Sequence, residues 1–163
     1  ILCTINFIKK KKLVKKIRDS ILDFQESLSN LPEGQVAFGD NDICPVTNTF
    51  ADGMHIRQIE IPKGIFSIGK IHLKEHVSFL LKGKMVIVDE ENGRQTIEAP
   101  ATIISKPGIK RAVYAVEDCI FTNVFHNPLN YKDAKVLEKN NVVNTYDEYY
   151  LQLENKKLIK EKI

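Results

Sequence analysis

The chain has 163 residues, 43% of them apolar and 28% charged, which is enough for one ordinary hydrophobic core and too short for two. Its net charge is +3, yet Lys9, Lys10, Lys11, Lys12, Lys15, Lys16 and Arg18 place +7 within the first 18 residues, so the rest, three less seven, carries −4. A mildly acidic body excludes a broad nucleic-acid-binding face there, because neutralising phosphates needs clustered Lys and Arg. The three cysteines, Cys3, Cys44 and Cys119, are widely spaced and form no CxxC pair, which argues against a disulfide framework or a thiolate zinc site.

The opening ILCTINFI is apolar, but it precedes its lysines and falls far short of a membrane span. A cytoplasmic protein with no membrane partner is therefore expected. From Leu13 the apolar positions Leu13, Ile17, Ile21, Phe24 and Leu28 step by three or four, the stripe of an amphipathic helix. Pro32-Glu33-Gly34 is expected to stop it, and a polar connection follows at Asp40-Asn41-Asp42. The lysines of this segment read as a solvated basic face, since they lack the interleaved aromatics of a single-strand binder.

Between Gly53 and Phe125 the chain becomes short runs rich in Ile, Val, Phe and Thr. Pro62-Lys63-Gly64, Asn92-Gly93, Pro100 and Pro107-Gly108 break them, an antiparallel all-β pattern. Asn92-Gly93 between Met85–Asp89 and Arg94–Ile97 predicts a type I′ hairpin. After Asn127-Pro128 helical patterning returns around residues 132–139 and again from Thr145, where Thr145-x-x-Glu148 has capping-box spacing. Lys156, Lys157, Lys160 and Lys162 crowd the last turns and suit a helix C-terminus. These divisions predict an N-terminal helical segment over 1–35, a β-domain over 36–128 and a C-terminal helical segment over 129–163.

The stretch Gly64–Gly83 brings Lys70, His72, Glu75 and His76 together and holds two of the four histidines, a clustering that suits metal coordination or acid/base chemistry. Its spacing resembles the first motif of the cupin superfamily: glycine, five residues, His-x-His, three or four residues, Glu, six residues, glycine. Lys70 occupies the first histidine position, His72 matches the second, and His76 stands in the glutamate position with Glu75 one residue early. Pro100–Ala115 is similar to the second motif. Pro107-Gly108 keeps its turn, while Arg111 lies where the fourth ligand histidine belongs. Phe50-Ala-Asp-Gly53, Leu81-Lys-Gly83 and Ser105-Lys-Pro-Gly108 look like small cupin-like proteins of tailed bacteriophages and prophages.

The resemblance implies an antiparallel β-barrel of jelly-roll type with an N-terminal amphipathic helix and C-terminal helices. It also implies a homodimer. On one straight strand His72 and His76 would be about 13 Å apart, so sharing a metal requires a bend and a third ligand, either Glu75 or His126. Iron, manganese or zinc is the cofactor such a set implies. Lys70 and Arg111 oppose a cation and favour a carboxylate or phosphate, which weights the reading toward no cofactor.

Three functions stay open. In the first, Lys70 and Arg111 bind an anionic small molecule and His72 or His76 serves as acid/base group. The second is a metal-dependent, dioxygenase-like enzyme, and the third a non-catalytic accessory or structural role. His55, His126, Tyr114, Cys44 and Cys119 read as structural.

Overall fold

The computed structural model describes residues 2–32 and 42–160, and the side chains of residues 10–32 and 42–157. Glu33-Gly34, Asp40-Asn41 and Lys162 lie outside the described residues, as do the side chains of Cys3, Lys9 and Lys160.

The N-terminal helix α1 (Leu2–Ser29) is longer than its apolar stripe. Leu13 is exposed, Val14 and Ile17 are half-buried, and Ile21 is buried, 3% exposed. Further along, Phe24 meets the Phe66 ring edge-on at 5.4 Å. The helix ends at Ser29, ahead of Pro32.

Two antiparallel sheets form the body. One carries β1 (Val46–Ala51), β2 (Met54–Ile61), β10 (Cys119–His126), β5 (His76–Lys82) and β8 (Ala101–Ser105), in that order. The other carries β3 (Phe66–Ile68), β9 (Arg111–Ala115), β6 (Lys84–Asp89) and β7 (Gly93–Glu98). The sheets face each other, because Ile61, Leu80 and Cys119 of the first share one core with Met85, Ile87 and Ala115 of the second. Fully burying side chains such as Leu80 and Met85 stabilises the fold by about 1.5–3 kcal/mol each. Strand neighbours distant in sequence, such as β2 beside β10 and β5 beside β8, make this a jelly-roll, cupin-like fold. The predicted all-β class with flanking helices holds.

The Asn92-Gly93 hairpin forms with a different turn. Asp89 pairs with Gly93, leaving the three-residue loop Glu90-Glu91-Asn92, and only Gly93, at φ +69°, is left-handed there. The Asp89 carboxylate draws the chain round by accepting hydrogen bonds from the Glu91 and Asn92 amides at 3.0 and 2.7 Å. That side-chain turn takes the place of the type I′ geometry. At Gly83, φ +84°, a Cβ would stand 2.3 Å from the Asp118 carbonyl oxygen, so the β5–β6 connection requires glycine.

At the C-terminus, α2 (Ala134–Asn141) starts at Asp133, whose carboxylate accepts from the Lys135 amide at 2.8 Å. A two-residue strand, β11 (Val142–Val143), pairs with β4 (Ile71–His72). Then α3 (Tyr146–Lys160) opens on the expected capping box: Thr145 Oγ1 accepts from the Glu148 amide, and Glu148 accepts from the Thr145 amide. The two terminal helices, α1 and α3, meet the body at Glu90. Its carboxylate, only 5% exposed, accepts from Arg18 at 3.2 Å and from the Tyr146 hydroxyl at 2.6 Å.

Candidate functional site: a polar end between the sheets

The rows of residues pointing between the sheets share one design. Along β2 the row reads Ile61, Ile59, then Arg57 and His55; along β5, Leu80, then Ser78 and His76; along β6, Met85, Ile87, then Asp89. On β8 it runs Ala101, Ile103 to Ser105; on β9, Ala115, Val113 to Arg111; on β10, Cys119, Phe121 to Asn123. The pairing register aligns the polar ends: Arg57 with Asn123, Asn123 with Ser78, His76 with Ser105, and Asp89 with Arg111. One end of the interior is therefore hydrocarbon and the other polar.

Arg111 is the centre of charge at that end. Its Nε donates to Asp89 Oδ2 at 3.2 Å and its Nη1 to Ser105 Oγ, while Nη2 is buried with no hydrogen-bond partner among the described residues. Beside Ser105, Ser78 donates to Asn123 Oδ1 at 2.7 Å. An unsatisfied buried donor costs about 1–3 kcal/mol, so an acceptor brought to Nη2 gains that much hydrogen bonding.

The chain bends at Leu73–Glu75, between β4 and β5, and brings the His72 and His76 rings to 4.2 Å, centre to centre. A straight strand could not do this. Phe125 supports both, lying nearly parallel to His72 at 5.4 Å and tilted against His76 at 4.8 Å. Burial, with smaller contributions from His76, Arg111 and Arg57, pushes His72 down to about 3. His76 is pushed down to about 4 by burial, opposed by its Nδ1 hydrogen bond to the Lys74 carbonyl and aided by Arg111. At neutral pH both are uncharged imidazoles, and His72 Nδ1 is buried without a partner among the described residues.

The other candidate residues lie elsewhere. Lys70 points to the surface, where it pairs with Glu138 of α2 at 2.7 Å. There it lines a depression of about 300 Å³ together with Lys135, Lys139, Glu138 and Glu148, a mixture of both signs of charge. The reason is tertiary: β4 is held by β11, so the residue before it faces the C-terminal segment. Glu75 is exposed, and its charge is felt by Lys106 rather than by the histidines. His126, at the end of β10, is also exposed.

These positions decide the fit of a metal. His72 and His76 are together, but Glu75 and His126 are not with them, and Asp89 is engaged by Arg111. Among the described residues no group of three or more His, Cys, Asp or Glu could hold an ion. Two imidazoles beside a guanidinium do not fit a resident divalent cation.

Of the residues read as structural, His55 is buried, hydrogen-bonded through Nε2 to Asn48 Oδ1 at 2.8 Å and stacked on Phe50. Tyr114 faces away from Arg111 and packs on Phe66 at 4.6 Å. Asp89, Ser78, Ser105, Asn123, Arg57 and Phe125 are the site residues that motif spacing passes over. Their signal in the sequence is the alternate position along each strand, where an apolar row turns polar.

No family model and no curated protein matches the chain. Among similar solved structures are an RmlC-like cupin with a double-stranded β-helix fold from Methanocaldococcus jannaschii (15% identity, 56% of this chain and 86% of that one, TM-score 0.45) and a cupin domain from Schizosaccharomyces pombe (10%, 57% and 72%, 0.46). A cupin-2 domain protein from Shewanella frigidimarina is similar at 12% identity over 55% of this chain and 85% of that one, with a TM-score of 0.42.

Proposed function

We propose that this cupin-like protein binds an anionic small molecule at the polar end between its sheets, without a resident metal. Arg111 supplies the charge, and the neutral His72 and His76 supply hydrogen bonds and a closely packed wall. The observation that carries this reading is the buried Nη2 of Arg111, which has no hydrogen-bond partner among the described residues and stands with its guanidinium between Asp89 and Ser105. A guanidinium N–H directed at an anion makes a charge-assisted bond, stronger than the neutral bonds around it. Asp89 offsets part of the positive charge and fixes the guanidinium plane, which orients the open nitrogen.

Binding alone accounts for these features. No nucleophile–base pair is needed, and imidazoles titrating near 3 and 4 are weak bases at neutral pH. The test is thermal unfolding of chelator-treated protein against acetate, benzoate, phosphate, nucleotides and sugar nucleotides. A rise in Tm with at least one anion, lost in Arg111→Gln, is the expected result; no shift across the panel overturns the reading.

A further inference from the structure

The densest charge in the chain lies on the N-terminal helix, where six lysines and Arg18 fall within residues 9–18 and no acidic residue occurs before Asp19. The helix α1 is fastened to the body through Arg18, Ile21 and Phe24. Ahead of Ile17 it runs on over Leu2–Lys16, about 22 Å at the ordinary helical rise. On this stretch Lys10, Lys11, Lys12, Lys15 and Lys16 are all exposed. We infer that it lies on an anionic lipid surface, with the lysines against the head groups and the apolar far end at the edge of the hydrocarbon.

Two features direct the stretch to a bilayer. Lys11 and Lys15, like Lys12 and Lys16, are like charges four residues apart, a spacing that destabilises a helix, and no carboxylate ahead of Asp19 offsets them. A layer of negative head groups does. The second feature is register. Ile5, Ile8, Lys12 and Lys16 follow one another at steps of three, four and four, so apolar positions lead and lysines follow along one face. Ile5 and Lys12 are separated by about 10 Å of helix, which matches the depth of about 5–10 Å to which interfacial helices enter a bilayer. Leu13, 57% exposed, adds apolar surface beside the lysines. A nucleic acid offers the same negative charge but no apolar layer for such positions. The expectation of no membrane partner rests on span length, and no helix of the described residues is long and apolar enough to cross a membrane. A helix at the surface needs no such length.

The test is co-sedimentation of the full chain with two kinds of vesicle, phosphatidylcholine alone and phosphatidylcholine with about one-third phosphatidylglycerol. Partitioning onto the anionic vesicles is expected to exceed that onto the neutral ones by about ten-fold or more, and to collapse as sodium chloride rises toward about 0.5 M. Lys12→Gln/Lys16→Gln is expected to weaken it about 25-fold, at about five-fold per lysine, while Lys63→Gln, an exposed change on the body, leaves it unaltered. Ile5→Gln/Ile8→Gln is expected to weaken binding and leave its salt dependence in place. These exposed lysine changes relieve repulsion within the helix, and an unchanged Tm verifies that each variant is folded. Equal partitioning onto both vesicles, or none, overturns the inference. Loss in Lys63→Gln equal to that in the double lysine variant overturns the assignment to α1, and full retention by Ile5→Gln/Ile8→Gln overturns the role of the apolar end. Tighter binding to a duplex or single-stranded oligonucleotide than to the anionic vesicles overturns the lipid surface and gives the lysines to a nucleic acid.

Discussion

Arg111 is gripped on two sides, while its buried Nη2 has no hydrogen-bond partner among the described residues, and that asymmetry follows from its register opposite Asp89 and its proximity to Ser105. Replacing it with Gln leaves Asp89 buried without its ion-pair partner. We expect a loss of on the order of 3 kcal/mol in urea unfolding, together with loss of anion-induced stabilisation. Asp89→Asn, which retains the turn, is expected to cost less than Arg111→Gln in the same measurement. At the β5–β6 connection, Gly83→Ala forces a Cβ against the Asp118 carbonyl in a left-handed backbone, and a cost of about 2–4 kcal/mol is expected. Spacing singles out the two glycines, His72, His76 and Arg111, and the fold brings the two imidazole rings together and requires glycine at position 83. Lys70 faces the surface instead of the interior, because its orientation depends on β11 and Glu138, which lie some seventy residues later in the chain.

Among the elements, the strands and helices declared themselves through period and punctuation. The capping box at Thr145 and the core positions of Cys44 and Cys119 follow from local chemistry. The Asn92-Gly93 turn shows where local chemistry misleads. Asn-Gly favours a two-residue turn, but Asp89 accepts from two successive amides and stabilises a three-residue loop instead. The same loop sets Glu90 where both terminal helices dock, with Arg18 lying 3.8 Å above the Tyr146 ring. Burial and the Glu90 hydrogen bond push the Tyr146 hydroxyl far upward, so it remains protonated and donates. Glu90→Gln is predicted to loosen α1 and α3 together. Hydrogen exchange should accelerate in both helices while the strands keep their protection; acceleration in one helix alone would refute a shared clasp.

For the molecule as a whole, the polar end makes stability dependent on pH. Both site histidines have folded values, about 3 and about 4, below the 6.5 of the unfolded chain. The unfolded state therefore takes up protons first. Their contribution to stability is complete above pH 6.5 and is lost progressively as pH falls toward 4, on the order of 3 kcal/mol from His72 and less from His76. His55, pushed down by burial and Arg57, acts in the same direction. Denaturant midpoints measured from pH 7.5 to 4.5 should fall, and His72→Gln should flatten the slope. The antiparallel all-β class is visible in the sequence as alternating strands with turn residues between them, and the jelly roll is what the cupin resemblance implies. The division of its interior into apolar and polar ends is visible in neither, because it exists only once six strands are aligned in register.

In the proposed complex an anion sits on Arg111 beside two neutral imidazoles. Imidazole nitrogen and carbon resonances of His72 and His76, recorded at pH 7 during titration with acetate, test it most directly. Neutral-imidazole shifts before addition, saturable movement of both residues during it, and no movement in Arg111→Gln are expected. Charged imidazoles before addition, or shifts that stay fixed as acetate rises, would contradict it.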